Sequence, residues 1–211
     1  MRVLVVVFLA TGMVGCTGEL SPPTATVTPP LDAESVAVEA LKKLGASITP
    51  NQQGDAVDVS FYNASITDAE LVHLTDMADL ETLSLKYNPK VSDAGLVHLK
   101  GMAKLQSLSL MSQAFTDEGL MHLQGLSNLQ TLNINVTSIT DAGLVHLAGL
   151  SNLKHLSLNG HKISVDGLMQ LKGLTTLKSL TLACPKITKP ELAQLRAAFP
   201  GCTIQTYGLG I

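Results

Sequence analysis

Leucine and other aliphatic residues return along most of the chain at intervals close to 24 residues. The segments LETLSL, LQSLSL, LQTLNI, LKHLSL and LKSLTL begin at Leu80, Leu105, Leu129, Leu153 and Leu177. In each segment the later aliphatic positions alternate with polar ones, which is the period-2 pattern of a β-strand with one buried face. A degenerate earlier copy runs from about residue 54 through VDVSF. The pattern predicts about six repeats of 24–26 residues over 54–200, each opening on a short strand.

The second half of each repeat changes to a helical spacing. Leucines three positions apart, such as Leu96 and Leu99, lie on one face of a helix. A serine or threonine suited to be a helix N-cap precedes each of these segments: Thr67, Ser92, Thr116, Thr140, Ser164 and Thr188. The next position is acidic in four repeats, and we expect these carboxylates to interact favourably with the helix dipole: Asp68, Asp93, Asp117 and Asp141.

Stacking of these repeats predicts an α/β solenoid with a curved parallel β-sheet on its concave face and helices on its convex face. Neighbouring strands pair about 4.8 Å apart, whereas packed helices need about 8–10 Å, so the strands lie inside the curve. No single repeat can bury its own leucines, so both ends of the array must be covered. We expect a helix and a strand over 32–53 to form an N-terminal cap, and a partial strand and tail over 201–211 to close the array.

Rows of the form ITDAGLxHLxGLxNLxxLxL resemble those of leucine-rich-repeat proteins, in particular proteins of the bacterial envelope and eukaryotic F-box proteins. We find no F-box in the sequence. The resemblance implies an interaction surface for another protein and no enzymatic activity of its own.

The first residues are typical of an export signal. Residues 1–15 contain one positive charge and a short apolar run, too short to span a bilayer as a stable helix. MVGC, ending at Cys16, resembles the bacterial lipobox, which implies lipidation of Cys16; an ordinary signal cleaved nearby is the alternative. Residues 16–31 form a Pro/Thr-rich tether with a reach of roughly 40 Å. We expect an exported, lipid-anchored protein of the cell envelope, or otherwise a periplasmic or secreted one.

Composition narrows the function further. A net charge of −3 gives no basis for nucleic-acid binding. The sequence has no Gly-rich phosphate loop and no GxSxG, HExxH or CxxC motif. We therefore expect a non-catalytic, monomeric binding scaffold for another protein, with no cofactor and no metal. A hydrolase with an unrecognised site is the alternative from another class.

The outward residues of the strands form the candidate partner-binding surface. We align Asp58 with Ser84 in the central column, which places Ser60 beside Lys86. With 3% aromatic residues, the only aromatic side chains expected near this surface are Phe61 and Tyr87, and a plainly solvated sheet face is the alternative. The candidate residues are Thr82, Ser84, Lys86, Tyr87, Ser107, Ser109, Met111, Thr131, Asn133, Asn135, His155, Ser157, Asn159 and Thr181.

Charge is unevenly distributed along the chain. Residues 17–149 hold 6 basic and 15 acidic side chains, whereas residues 150–211 hold 7 basic and 2 acidic ones. Four lysines of the C-terminal part are candidates for binding an anionic partner: Lys154, Lys162, Lys178 and Lys186. They support a second hypothesis, a module that binds cell-wall material or another polysaccharide, and solvated edge lysines are the alternative.

The histidines and cysteines predict no metal site or disulfide. Four histidines recur at one helical position about 10 Å apart, too far for shared zinc coordination: His73, His98, His122 and His146. Cys184 and Cys202 fall at opposite ends of neighbouring strands, roughly 20 Å apart, so we expect both thiols to be free.

Overall fold

The computed structural model describes residues 32–207 except 113, 137, 185 and 186. The predicted signal, lipobox and tether, Lys186 and the end of the tail therefore lie outside the described residues.

The described residues contain eight strands, which form one open sheet in which spatial order follows chain order. The first two strands pair antiparallel, and every later neighbour pairs parallel. The sheet and its helical connections confirm the predicted α/β solenoid. The strands are β1 (Ser47–Pro50), β2 (Ala56–Tyr62), β3 (Thr82–Lys86), β4 (Ser107–Met111), β5 (Thr131–Asn135), β6 (His155–Asn159), β7 (Ser179–Ala183) and β8 (Thr203–Thr206).

The helical segments on the other side are shorter than the sequence suggests. In most repeats a single α-helical turn passes directly into a 3₁₀ turn, and the first repeat is 3₁₀ throughout. The α-helices are α1 (Ala33–Lys43), α2 (Asp93–Leu96), α3 (Asp117–Leu120), α4 (Asp141–Leu144), α5 (Val165–Met169) and α6 (Lys189–Ala198). The 3₁₀ helices are η1 (Asp68–Asp76), η2 (Val97–Leu99), η3 (Met121–Leu123), η4 (Val145–Leu147) and η5 (Gln170–Gly173).

One continuous aliphatic core lies between the strands and the helical segments. In each central repeat the two inward residues of the strand and the two leucines of the helical half are almost completely buried, as for Leu132, Ile134, Leu144 and Leu147. Burial of one such side chain contributes roughly 1.5–3 kcal/mol, and each one contacts neighbouring repeats as well as its own.

The two full-length helices lie at the two ends of the array. Helix α1 packs on η1 of the first repeat and buries Ala37 and Leu41. Helix α6 packs on α5 and buries Leu192 and Leu195. Each therefore covers the leucines that a neighbouring repeat would otherwise cover.

The strand register corrects the predicted alignment of the first repeat. Ser60, not Asp58, pairs with Ser84, and Asp58 pairs with Thr82. The reason is that Val59 and Phe61 are the buried residues of β2. This shift of two positions brings Tyr62 into line with Lys86 and changes the composition of the candidate surface.

Candidate binding site on the strand face

Three lines of outward side chains cross the sheet. The entry line holds Asp58, Thr82, Ser107, Thr131, His155 and Ser179; the middle line holds Ser60, Ser84, Ser109, Asn133, Ser157 and Thr181. The exit line, where the strands end, holds Tyr62, Lys86, Met111, Asn135, Asn159 and Ala183. The structure therefore places thirteen of the fourteen predicted residues on one face, and Tyr87 follows directly after β3.

Polar side chains in these lines bond to one another along the solenoid. Asn133 donates to Ser109 Oγ at 3.2 Å, and Asn159 Nδ2 donates to Asn135 Oδ1 at 2.8 Å. Ser109 is only 8% exposed. Because an amide side chain can form several hydrogen bonds, these contacts fix the side chains and leave capacity for a ligand.

Two tyrosines stand at the exit end of the first two parallel strands. The ring centroids of Tyr62 and Tyr87 lie 5.2 Å apart at an interplanar angle of 74°, an edge-to-face contact. Tyr62 is 68% exposed and Tyr87 is 51% exposed, whereas Phe61 is completely buried. The expectation that Phe61 belongs to the surface is therefore wrong, and Tyr62 takes that place.

An unusual backbone presents Tyr87. Its φ angle is 59°, in the left-handed region that costs an L-residue with a side chain about 1–2 kcal/mol. The Tyr87 N–H donates to Met111 O at 3.0 Å, and the Asn63 N–H donates to Lys86 O at 3.1 Å. The first bond ties the loop after β3 to the end of β4, and the second ties the loop after β2 to the end of β3, directly before Tyr87.

Asn88 completes this arrangement from inside the protein. It is fully buried, and its Nδ2 donates to Phe61 O and Lys86 O, each at 3.0 Å. Its Oδ1 accepts from the Ala64 N–H at 2.9 Å. Because a buried amide must find such partners, Asn88 connects the end of β2 and its following loop with the end of β3.

A depression of about 510 Å³ opens beside Tyr87. Its lining is mostly apolar and comprises Asn63, Tyr87, Pro89, Met111, Ser112 and Ala114. We call Tyr62, Lys86, Tyr87, Pro89 and Met111 the tyrosine edge. Exposed tyrosines beside an apolar depression are the type of surface that protein partners use as anchor points.

Tyr62 was missed by the sequence analysis, although a signal for it exists. From β4 to β7 a buried residue follows the last buried residue of the strand by five positions, as Phe115 follows Leu110. Ile66 follows Phe61 by the same interval. Counting back from Ile66 therefore assigns Phe61 to the core and Tyr62 to the surface.

The three candidate lysines that the structure describes do not form one cluster. Lys154 and Lys178 are neighbours at the entry end of β6 and β7, and Lys154 Nζ donates to Gln130 Oε1 at 2.8 Å. Lys162 lies beyond the exit end of β6, bridged to Thr140, and is exposed. The anion-binding hypothesis is therefore reduced to the Lys154–Lys178 pair among the described residues.

The histidine column lies along the helical side, and in the part of the chain that the structure describes no three His, Cys, Asp or Glu side chains are close enough to hold a metal ion. Burial and then repulsion from Lys100 lower the pKa of His122, although the charge of Asp93 opposes them. The Nδ1 atom of His122 is buried without a hydrogen-bond partner among the described residues.

The two remaining cysteines are free, as predicted. Cys184 is completely buried beyond β7, and Cys202 is partly buried before β8. Burial raises the pKa of both thiols.

Comparison with known proteins agrees with this architecture. A leucine-rich-repeat family model matches residues 149–172. The crystal structure of an internalin from Listeria monocytogenes is 17% identical, with a TM-score of 0.51 over 85% of this chain and 57% of the internalin. A leucine-rich-repeat protein from Leptospira interrogans is 22% identical, with a TM-score of 0.43 over 64% of this chain and 39% of that one. None of the curated proteins compared with the chain matches it.

The repeat, the open sheet of mostly parallel strands and the fold shared with the internalin show that the fold of this chain is a leucine-rich-repeat solenoid. The chain spans 57% of the length of that internalin. Within the described residues, no helix has the length and apolar character needed to cross a bilayer.

Proposed function

We propose that the chain is a non-catalytic scaffold that binds another protein through its strand face. The observation that carries this proposal is the tyrosine edge, where two exposed rings stand beside an apolar depression at one end of a sheet of fixed polar side chains. Aromatic anchors surrounded by small polar groups are the usual composition of a protein-binding surface. The preformed hydrogen bonds of Asn133 and Asn159 limit the entropy lost on binding.

Capture of a partner tests this proposal. The immobilised full chain is incubated with envelope extract, and retained proteins are compared with those held by two variants. Asn133→Arg introduces a bulky charge in the middle of the strand face and should abolish retention of the specific partner. Ala142→Arg, at an exposed position on the helical side, should retain it. Equal retention by both variants, or loss only in Ala142→Arg, contradicts the proposal.

We further propose that Cys16 is lipidated and holds the domain at the cell envelope. Support comes from the export-type segment 1–15, the lipobox-like MVGC and the Pro/Thr-rich tether. Metabolic labelling with a radioactive fatty acid tests this. Label that disappears in Cys16→Ser supports the anchor, and absent or undiminished label refutes it.

A polysaccharide-binding module remains the second candidate, and one observation favours it. Lys154 and Lys178 occupy adjacent positions at the entry end of neighbouring strands. Salt-sensitive retention on isolated wall polymer that is lost in Lys154→Gln/Lys178→Gln would support this function. Lys162→Gln is the matched control because Lys162 lies at the opposite end of β6. Equal effects of both changes indicate non-specific charge binding.

A further inference from the structure

We infer that the tyrosine edge docks an extended segment of a partner protein that carries an apolar or aromatic side chain next to a carboxylate. This inference rests on the proposed function and narrows it to one part of the strand face and one peptide chemistry. Four features of the described residues support it.

The first feature is the concentration of strained backbone at this edge. Among the described residues other than glycine, positive φ angles occur only at Asn63, Ser65 and Tyr87. All three lie in the loops that follow β2 and β3, which Asn88 connects. Strained conformations persist where surrounding contacts enforce them, and they concentrate at binding sites. At Tyr87 the left-handed backbone coincides with an aromatic ring that is 51% exposed.

The second feature is the apolar depression. Tyr87, Pro89, Met111 and Ala114 line a space of about 510 Å³, within the range of ligand-binding cavities. Met111 adapts its shape to different apolar groups because its side chain is unbranched and flexible. The depression therefore suits one large aliphatic or aromatic side chain, with Tyr62 and Tyr87 flanking it.

The third feature is an unpaired positive charge. Lys86 lies in register between Tyr62 and Met111. The ion pairs among the described residues are Lys42–Glu39 and Lys104–Asp79, so Lys86 has no carboxylate partner there. Asp58, the carboxylate on β2, is four positions before Tyr62, about 13 Å along the strand. A partner carboxylate at the exit line would meet attraction from Lys86 with little repulsion from Asp58.

The fourth feature explains why the ligand is an extended peptide. Beyond Met111 the exit line continues with Asn135 and Asn159, whose side chains are bonded to each other at 2.8 Å. Amides can both donate to and accept from peptide backbone groups. A segment crossing the strands along this line would place one side chain in the depression, a carboxylate at Lys86 and its backbone over the amides.

The probe for this inference is a random peptide library displayed on phage and selected on the purified full chain. Enriched sequences should share an apolar or aromatic residue next to Asp or Glu. A selected peptide and its counterpart with Asn or Gln in place of the acid are then synthesised. The acidic peptide should bind several-fold more tightly, and Lys86→Gln should remove that preference.

Variants locate the binding site. Tyr62→Ser and Tyr87→Ser should each weaken the acidic peptide roughly tenfold or more, as expected for aromatic anchors. Val145→Ser, at an exposed apolar position on the helical side, is the control and should leave affinity unchanged. Lys86→Glu gives a second test that does not depend on losing a ring, because it should reverse the preference toward a peptide carrying Lys.

Three results overturn the inference. The first is that selection enriches no peptide, and the second is that the enriched peptides lack a carboxylate. The third is that soluble glycan fragments bind the chain and that their binding requires Tyr62 and Tyr87 but not Lys86. If a partner captured from envelope depends on Asn133 while the library yields no acidic motif, this inference fails and the proposed function stands. If no partner is captured either, both fail.

Discussion

The carboxylate of Asp93 accepts two hydrogen bonds from Thr116 of the next repeat, one from its N–H at 2.9 Å and one from its hydroxyl at 2.5 Å. The same pair of bonds joins Asp68 to Ser92, Asp117 to Thr140 and Asp141 to Ser164. These four aspartates therefore connect consecutive repeats, and we call the series of Asp–Ser and Asp–Thr pairs the aspartate ladder, or the ladder. Their predicted interaction with the dipole of their own helix is only part of their role.

The ladder has a defined beginning and end. One repeat before Thr67, no aspartate occupies the position that corresponds to Asp68. One repeat before Thr188, that position is occupied by Val165. In both cases a glutamate of the same repeat supplies the carboxylate, Glu70 for Thr67 and Glu191 for Thr188. The hydroxyl of Thr67 lowers the pKa of Glu70, which is fully consistent with a capping role.

Loss of the two hydrogen bonds between one aspartate and the next repeat should destabilise the domain. Asp93→Ala removes both acceptors of Thr116, and we expect the free energy of unfolding to fall by about 1–2 kcal/mol. Asp166→Ala is the control, because Asp166 is exposed in the first turn of α5 but one position away from the ladder. It should cost at most about 0.5 kcal/mol. Urea unfolding measures both, and equal losses would refute the inter-repeat role.

The ladder also explains a glycine in each central repeat. A Cβ built on Gly119 would collide with Asp93 Oδ1 of the preceding repeat, and Leu96 Cδ1 would lie 3.0 Å away. We expect Gly119→Ala to cost about 1–3 kcal/mol in the natural protein. In the Asp93→Ala background the collision with Oδ1 is gone while the contact with Leu96 remains, so the cost should fall by roughly 1 kcal/mol or more. Additive effects in this double-mutant cycle would contradict the packing relationship.

The backbone strain at Tyr87 is measurable by comparing two truncations. Tyr87→Gly and Tyr87→Ala remove the same ring, but glycine adopts a left-handed backbone without steric cost. The glycine variant should be more stable than the alanine variant by roughly 0.5–1 kcal/mol. The same pair at Thr131, in the middle of the sheet, should give the opposite order because glycine weakens a strand. Alanine more stable than glycine at both sites would exclude strain at Tyr87.

His122 should make stability depend on pH. Burial lowers its pKa, so the folded chain binds a proton less readily than the unfolded chain does. Its contribution is complete above the ordinary histidine pKa of about 6.5 and is lost as pH falls through that value toward the lowered folded-state pKa.

Unfolding by urea between about pH 8 and about pH 5 measures this effect. The natural protein should lose more stability on acidification than His122→Gln does. His161→Gln, at an exposed position, is the control and should follow the natural protein. Identical pH profiles for the natural protein and His122→Gln would show that His122 does not contribute.

Structural features that recur in every repeat could be predicted from the sequence, whereas features that depend on a single position could not. Leu83, Leu108 and Leu132 recur with a strict period, so strand positions and buried faces could be assigned directly. In the first repeat Val57, Val59 and Phe61 all fit a period-2 pattern, and apolarity alone did not distinguish the inward pair. The resulting misalignment concealed Tyr62.

Other structural features depend on contacts between different repeats, and a local sequence pattern does not predict such contacts. Asp93 precedes Thr116 by 23 residues, and Asn88 bonds to a carbonyl 27 residues earlier. The helical spacing of the Ser-Asp-Ala-Gly-Leu unit correctly predicts its first α-helical turn, but it does not indicate that a 3₁₀ turn follows. The positive φ of Tyr87 follows from the bonds of its neighbours and was equally inaccessible.

Site-specific photo-crosslinking in envelope extract tests most directly whether a partner protein contacts the strand face. A photoreactive residue is placed at Asn133, in the middle line, and separately at Ala142, on the helical side. A partner protein crosslinked from position 133 and absent from position 142 is the predicted result. Crosslinks only from position 142, or the same products from both, would contradict binding through the strand face.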